Sequence, residues 1–381
     1  MTNIINAFPN INPALYFGIN KEYDPILCRK RFFLYSSGRA ALYFAVKTAE
    51  LPRESRFLIP AFHCGVEVEA VRRAGYHVDF YNIKKNLHID FENMAQRITD
   101  KTRALIVIHY FGFPQNMKDV LKFCHDNNLL LIEDCAHSLY SSYKGKLTGG
   151  FGDFGIFSLR KTIALPNGGG LLCNSSGFPD PPAGKKYFDY QLLKSTVKSM
   201  LDYKARCTSI LGYISKSILS MYASISEKPV KHETGDIETS MPWYYEVPSC
   251  DYHNAISGLS MPLLRKESYK QIVKKRRENY NLLNESLSGI DDSMILSKTI
   301  KEGVCPLCYV VSVEDRDRIL AEMRREGVYP FVFGVSPHAS LSVSGYPDLE
   351  FLSKTLVGLP VHQDLNKEEI DTVSSVFMRL V

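Results

Sequence analysis

The sequence predicts an α/β protein, with a mostly parallel central sheet flanked by helices and a smaller α+β domain after it. Three observations lead there. At 381 residues the chain exceeds one ordinary core, which favours two domains. Between residues 34 and 134, short apolar runs alternate with amphipathic stretches of about ten residues, the pattern of βαβ units in a parallel sheet. After Asn174 the alternation stops, and a single apolar run, Val304 to Val313, stands among charged helical stretches. We therefore expect an N-terminal arm and large domain over residues 1–245 and a small C-terminal domain over 246–381.

The elements follow in order. Residues 1–33 read as an irregular arm with scattered aromatics. Leu34 to Ser37 leads into Gly38, and Arg39 to Glu50 has helical periodicity through Ala40, Leu42, Ala45 and Val46. Phe57 to Pro60 reads as a strand, Val66 to Ala74 as a helix, Val78 to Tyr81 and Ala104 to His109 as strands, and Met117 to Asn127 as a helix. Leu129 to Asp134 is a nearly continuous apolar run, the mark of a strand buried on both faces. In such sheets ligands collect outside the carboxyl ends of the strands, where Gly38, Pro60, His109 and Asp134 all fall. Residues 175–186 read as a loop and 187–227 as one or two helices. The basic stretch over 185–228 reads as a solvated or dimer-facing surface rather than a membrane surface. Residues 229–250 read as a linker, His253 to Leu283 as helical, Val304 to Val313 as a strand, and Asp315 to Glu326 and Lys367 to Leu380 as helices.

Bulk properties narrow the function. Hydrophobic content of 45% and charged content of 23% are those of a globular protein. A net charge of +5 is too small to argue nucleic-acid binding, though it suits an anionic substrate. The nine cysteines are odd in number and several lie in apolar runs, which suits reduced thiols in a cytoplasmic protein. Cys305-Pro-Leu-Cys308 is a lone CxxC inside a strand-like run, so we read it as buried strand and expect no metal. The first residues lack a signal-peptide pattern, and no run approaches the roughly 18–20 apolar residues of a membrane span.

The chemistry concentrates at two residues. Asp134 closes one apolar run and Lys161 closes another, Gly155-Ile-Phe-Ser-Leu-Arg-Lys161, ahead of Asn167-Gly-Gly-Gly170. A lysine can form a Schiff base, and a buried carboxylate can hold a pyridine nitrogen protonated. Together they are what pyridoxal 5'-phosphate (PLP) asks of a protein. Ser36-Ser-Gly-Arg39 sits where a strand turns into a helix, and backbone N–H groups there attract a phosphate. His137 lies three residues past Asp134, within reach of the same ring. Gly150-Phe-Gly-Asp-Phe-Gly155 matches GxGxxG, but an apolar strand follows it instead of a helix, so it is not read as a dinucleotide site.

These motifs carry a resemblance. Ser37-Gly-Arg-Ala-Ala-Leu42, Pro60-Ala-Phe-His63, Val107-Ile-His-Tyr-Phe-Gly112, Glu133-Asp-Cys-Ala-His-Ser138, Gly152-Asp-Phe-Gly-Ile-Phe-Ser158, Lys161 and Gly168-Gly-Gly170 are similar to the DegT/StrS family of PLP-dependent, fold type I sugar aminotransferases. The resemblance continues through Asn254 to Leu259, Arg276-Arg277 and Leu359-Pro-Val-His362, and is weakest over 176–250. It implies a catalytic Lys161 bonded to PLP, Asp134 at the pyridine nitrogen, and Ser158, Gly38 and Arg39 at the phosphate. It also implies His137 near the phenolic oxygen, and Phe62 or His63 over the ring. It implies a homodimer that takes an amino group from an amino acid, glutamate foremost, to a nucleotide-linked keto sugar for polysaccharide biosynthesis. Four departures stand out. Arg39 replaces a Thr, His137 replaces a Gln, Lys161 is matched across a gap, and the Asn and Arg that reach the partner's phosphate are not recognisable. The rival expectations are a sugar dehydratase of the same family, in which histidine replaces the lysine, a non-catalytic PLP-binding regulator, and an aminotransferase for a non-sugar substrate.

Overall fold

The computed structural model describes residues 4–20, 22–206, 214–215, 252–335, 341 and 345–381. The expected boundary near 245 and the basic stretch beyond Arg206, apart from residues 214–215, lie outside the described residues.

A seven-stranded sheet organises the first half, in the order β1-β9-β8-β5-β4-β2-β3. Its strands are β1 (Phe32–Tyr35), β2 (Arg56–Pro60), β3 (His77–Tyr81), β4 (Thr102–Ile108), β5 (Leu130–Asp134), β8 (Phe154–Ser158) and β9 (Gly169–Cys173), with a small hairpin of β6 (Ser142–Tyr143) and β7 (Lys146–Leu147) apart from it. β3, β2, β4, β5 and β8 pair in parallel, and β9 runs antiparallel to both β8 and β1. Two reversals put β1 in the direction of the parallel set, so six strands end at one edge. The central strands are buried on both faces: Phe57, Leu58, Ile59, Leu105, Ile106 and Ile132 are all fully enclosed. This α/β sheet with its flanking helices bears out the expected fold class.

Helices α1 (Gly38–Thr48), α2 (Val66–Arg73), α3 (Phe91–Gln96) and α4 (Met117–Asp126) connect the strands. Ser37 caps α1 by accepting from the Ala40 amide, which fixes where β1 turns into helix. Glycines set the spacing between α1 and the sheet. A Cβ at Gly169 would lie 2.0 Å from the Ser37 carbonyl, and one at Gly170 would lie 2.2 Å from the Phe32 ring. That close approach is why a glycine run forms a strand here, and why its composition hid β9 in the sequence. The six-residue α3 was equally illegible.

The later elements depart from expectation in detail. Helix α5 (Tyr190–Ala205) occupies part of the expected 187–227 stretch, and Arg206 beyond it pairs with Glu369 at 2.6 Å. The helix expected from His253 starts only at Tyr269 and runs to Ser286, capped by Ser268. Residues before it form turns and a short 3-10 helix, Met261–Leu263, containing Pro262. The expected strand from Val304 begins at Cys308, because Gly303 turns at φ 83° and Pro306 has no N–H to pair. That strand, Cys308–Ser312, pairs antiparallel with Leu356–Pro360, and helices Arg316–Arg325 and Lys367–Met378 pack nearby. Cys305 and Cys308 are both buried, as expected of the lone CxxC.

Candidate active site

The shared strand edge collects the expected residues in two groups. At the first, Gly38 begins α1, its built Cβ position 3.5 Å from the Ser158 side chain at the end of β8. A helix N-terminus, a serine hydroxyl and a residue without a side chain make an anion cradle. Arg39 lies beside it, half-exposed, and turns to Glu69 on α2 at 3.9 Å.

At the second, Lys161 ends a 3-10 turn that continues β8, Leu159–Lys161, and its Nζ lies 3.0 Å from His137 Nε2. Burial holds the Lys161 amine below the usual lysine range. The Arg160 charge lowers it further, while Cys64, Asp134 and Glu67 oppose the shift. His137 is enclosed, stacked on Phe111 at 5.6 Å and edged by Phe331 and Phe333 at 5.3 and 4.7 Å. Burial pushes its pKa well below the ordinary imidazole value, so the ring is neutral. Asp134 accepts one backbone N–H, from Ala136 at 2.8 Å. Burial and the neighbouring Glu67 carboxylate raise its pKa to about 7, against the Ala136 hydrogen bond.

His63 is buried in the turn after β2. Its Nδ1 meets the Pro60 and Ala61 carbonyls at 3.1 and 2.8 Å, and its ring stacks on Phe80. Phe62 packs against Tyr110 and Phe333.

Three contributors were not among the expected site residues. Glu67, buried in the first turn of α2, takes the Cys64 thiol at 3.4 Å, and burial raises its pKa. Arg276 is fully buried. It donates to the Lys161 and Thr162 carbonyls at 3.3 and 3.4 Å, to the Pro306 and Leu307 carbonyls at 3.2 Å each, and to Gln363 at 3.0 Å. It thus ties the lysine-bearing turn to the C-terminal strands. Phe111, third, lies under His137. Two signals were available. Glu67 falls on the helix face of Ala70 and Val71, and Arg276 on the face of Ile272, Asn279, Tyr280 and Leu283, so each is a charge on a buried stripe.

The GxGxxG segment has another use. The Gly149, Phe151 and Gly152 amides donate to the buried Glu133 carboxylate at 2.9, 2.6 and 2.7 Å. His109 Nε2 completes the set at 3.1 Å, and its Nδ1 takes the Gln115 amide. Among the described residues, His109, Glu133 and Cys135 bring three donor atoms within 4.8 Å. The histidine and the carboxylate are already satisfied within the protein, which leaves little for an ion.

A mostly parallel sheet with one reversed strand, a helix N-terminus beside Ser158 and a buried lysine at the strand ends define the class of architecture: fold type I. Residues 30–180 match the sequence model of the DegT/DnrJ/EryC1/StrS aminotransferase family. The GDP-perosamine synthase of Escherichia coli O157:H7 is 27% identical over 53% of this chain and 56% of its own length. The dTDP-4-dehydro-2,3,6-trideoxy-D-glucose 4-aminotransferase of Saccharopolyspora spinosa is 23% identical over 91% of this chain and 83% of its own. Spr1654 of Streptococcus pneumoniae, solved in a PLP form, shares the fold across 100% of both chains with a TM-score of 0.67 at 17% identity. No helix among the described residues is long and apolar enough to cross a membrane.

Proposed function

We propose that this aminotransferase uses PLP to carry an amino group from an amino acid, glutamate foremost, to a nucleotide-linked keto sugar. The observation that carries the reading is the Lys161 amine, buried beside a neutral His137 and near an acid whose carboxyl titrates near neutrality, at the edge that also holds the Gly38–Ser158 cradle. The residues fit the group. The α1 amides and Ser158 suit a phosphate, Asp134 suits a protonated ring nitrogen, and Lys161 suits an aldehyde carbon. When bound, PLP supplies that aldehyde and an electron-withdrawing ring. Asp134 would keep its negative charge at the ring nitrogen. Lys161 would attach and, once displaced, move the substrate proton at Nζ as base and then acid. Arg276 would hold the Lys161 backbone still. Lysine at position 161 distinguishes this reading from the dehydratase alternative. We take the working form to be a cytoplasmic homodimer.

Borohydride treatment of the PLP-loaded protein should add the cofactor's mass to the peptide bearing Lys161. Glutamate without sugar should convert the cofactor's absorbance in a single turnover. Lys161→Ala should abolish the mass addition and lower turnover by at least about a thousandfold. A variant that still turned over would end the assignment.

A further inference from the structure

We propose that the His137 ring carries its proton on Nε2 and donates it in a hydrogen bond to Lys161, keeping Lys161 as the free, nucleophilic amine. This deepens the reading above and rests on Lys161 being the reactive lysine.

The argument is one of donors and acceptors. His137 Nε2 lies 3.0 Å from Lys161 Nζ. On the other side of the ring, the Phe111 backbone N–H is directed at Nδ1, at 3.5 Å. A backbone N–H can only donate, so Nδ1 must be the unprotonated nitrogen. A neutral imidazole has one N–H, which places it on Nε2, facing Lys161. An N–H facing Nζ needs a lone pair there. An amine has one and an ammonium has none. The opposite arrangement, an ammonium donating to Nε2, would put the ring proton on Nδ1 against the Phe111 N–H.

The surroundings hold this arrangement. Phe111 is a bulky residue at φ 54°, a left-handed conformation that survives only where its neighbours enforce it. Leu307 N–H donates to the Phe111 carbonyl at 2.8 Å. Gly112 follows at φ 100°, where a Cβ would lie 2.3 Å from the Cys305 carbonyl. The strained turn thus aims one amide at one ring nitrogen. Phe111, Phe331 and Phe333 enclose the ring in an apolar sleeve that disfavours an imidazolium. The ionisable groups acting on Lys161 are Cys64, Glu67, Asp134 and Arg160, from the β2–α2 turn, α2, β5 and its own turn. Beside these groups, the His137 ring is in hydrogen-bond contact with the amine itself, at 3.0 Å.

The test uses the full chain freed of cofactor, with 15N-labelled histidine. The chain has ten histidines, so His137→Gln identifies the His137 ring signals by their loss, and Lys161→Ala identifies them by their shift should the first variant fail to fold. Two-bond nitrogen–proton correlations between about pH 6 and pH 9 should show only the Nε2–H tautomer, and Lys161→Ala should move the Nε2 signal. In the same protein, the rate of Lys161 acetylation should stay flat between about pH 6 and pH 9, where that of exposed lysines falls about tenfold for each unit of pH lowered. An Nδ1–H tautomer, an imidazolium, an unmoved Nε2 signal or a Lys161 rate that falls as the exposed lysines' does would each overturn the proposal. Borohydride fixation of PLP is scored separately. Its failure with the tautomer intact removes the functional reading, and the reverse result removes only this inference.

Discussion

Glu133 and Asp134 are neighbours on β5 and face opposite sides of it. Glu133 receives three backbone amides and the His109 ring, and is fully enclosed. Asp134 receives one amide, sits near a second carboxylate, and is driven to a pKa of about 7. The first is a carboxylate around which a glycine-rich loop is wound. The second is an acid left short of partners at the edge where ligands gather. A satisfied charge organises structure, and an under-satisfied one is available for binding.

Three substitutions break or sharpen this contrast. Glu133→Gln should be the most damaging, because its NH2 would face donors already in place. We expect a loss of about 3–5 kcal/mol in chemical denaturation, and a loss under about 1 kcal/mol would show that the loop finds other partners. Gly152→Ala attacks the same cradle from the other side. Its Cβ would lie 2.6 Å from the Leu131 carbonyl, so the amide that serves Glu133 must shift. The denaturation midpoint should fall by the equivalent of about 1–3 kcal/mol with unchanged slope. Asp134→Asn should act in the opposite sense and be the mildest. The folded carboxyl, at about 7, lies above the ordinary aspartate value of 3.8, so the native state binds more protons than the unfolded one between those values. That contribution is complete below about pH 4 and is lost as pH rises to about 7. At pH 8 the cofactor-free variant should therefore equal or exceed the parent by about 1–2 kcal/mol while retaining PLP far less well. The pH slope should shrink without vanishing, because Asp364 is also raised to about 7 by burial. A variant less stable at pH 8 with PLP retained would reverse the roles assigned to the two acids.

Much of the large domain was legible because its signals are local. Helices α1, α2 and α4 and strands β2 to β5 announce themselves by period, and Asp134 and Lys161 by their place at the ends of apolar runs. The site was legible in part. Lys161, His137 and Asp134 share one edge and Gly38 lies beside Ser158, whereas His63 stacks on Phe80. Phe62 and His63 alternate on one short turn, and nothing in their own sequence says which ring faces the site. β9 was hidden because glycine carries no strand signal, and its presence depends on how closely α1 approaches.

The amino-acid order alone determined the class of fold, the acid and lysine at strand ends and the exclusion of a dinucleotide loop, since each depends on periodicity or on what immediately follows a motif. Tertiary structure decided the rest. Arg276, 115 residues from Lys161, reaches its carbonyl. Phe331 and Phe333 close around His137 from the far end of the chain, and the Phe111 turn is held left-handed by Cys305 and Leu307. Such contacts join segments with no local relation. They form only when a common core brings them together, because packing favours them and local conformational preference does not.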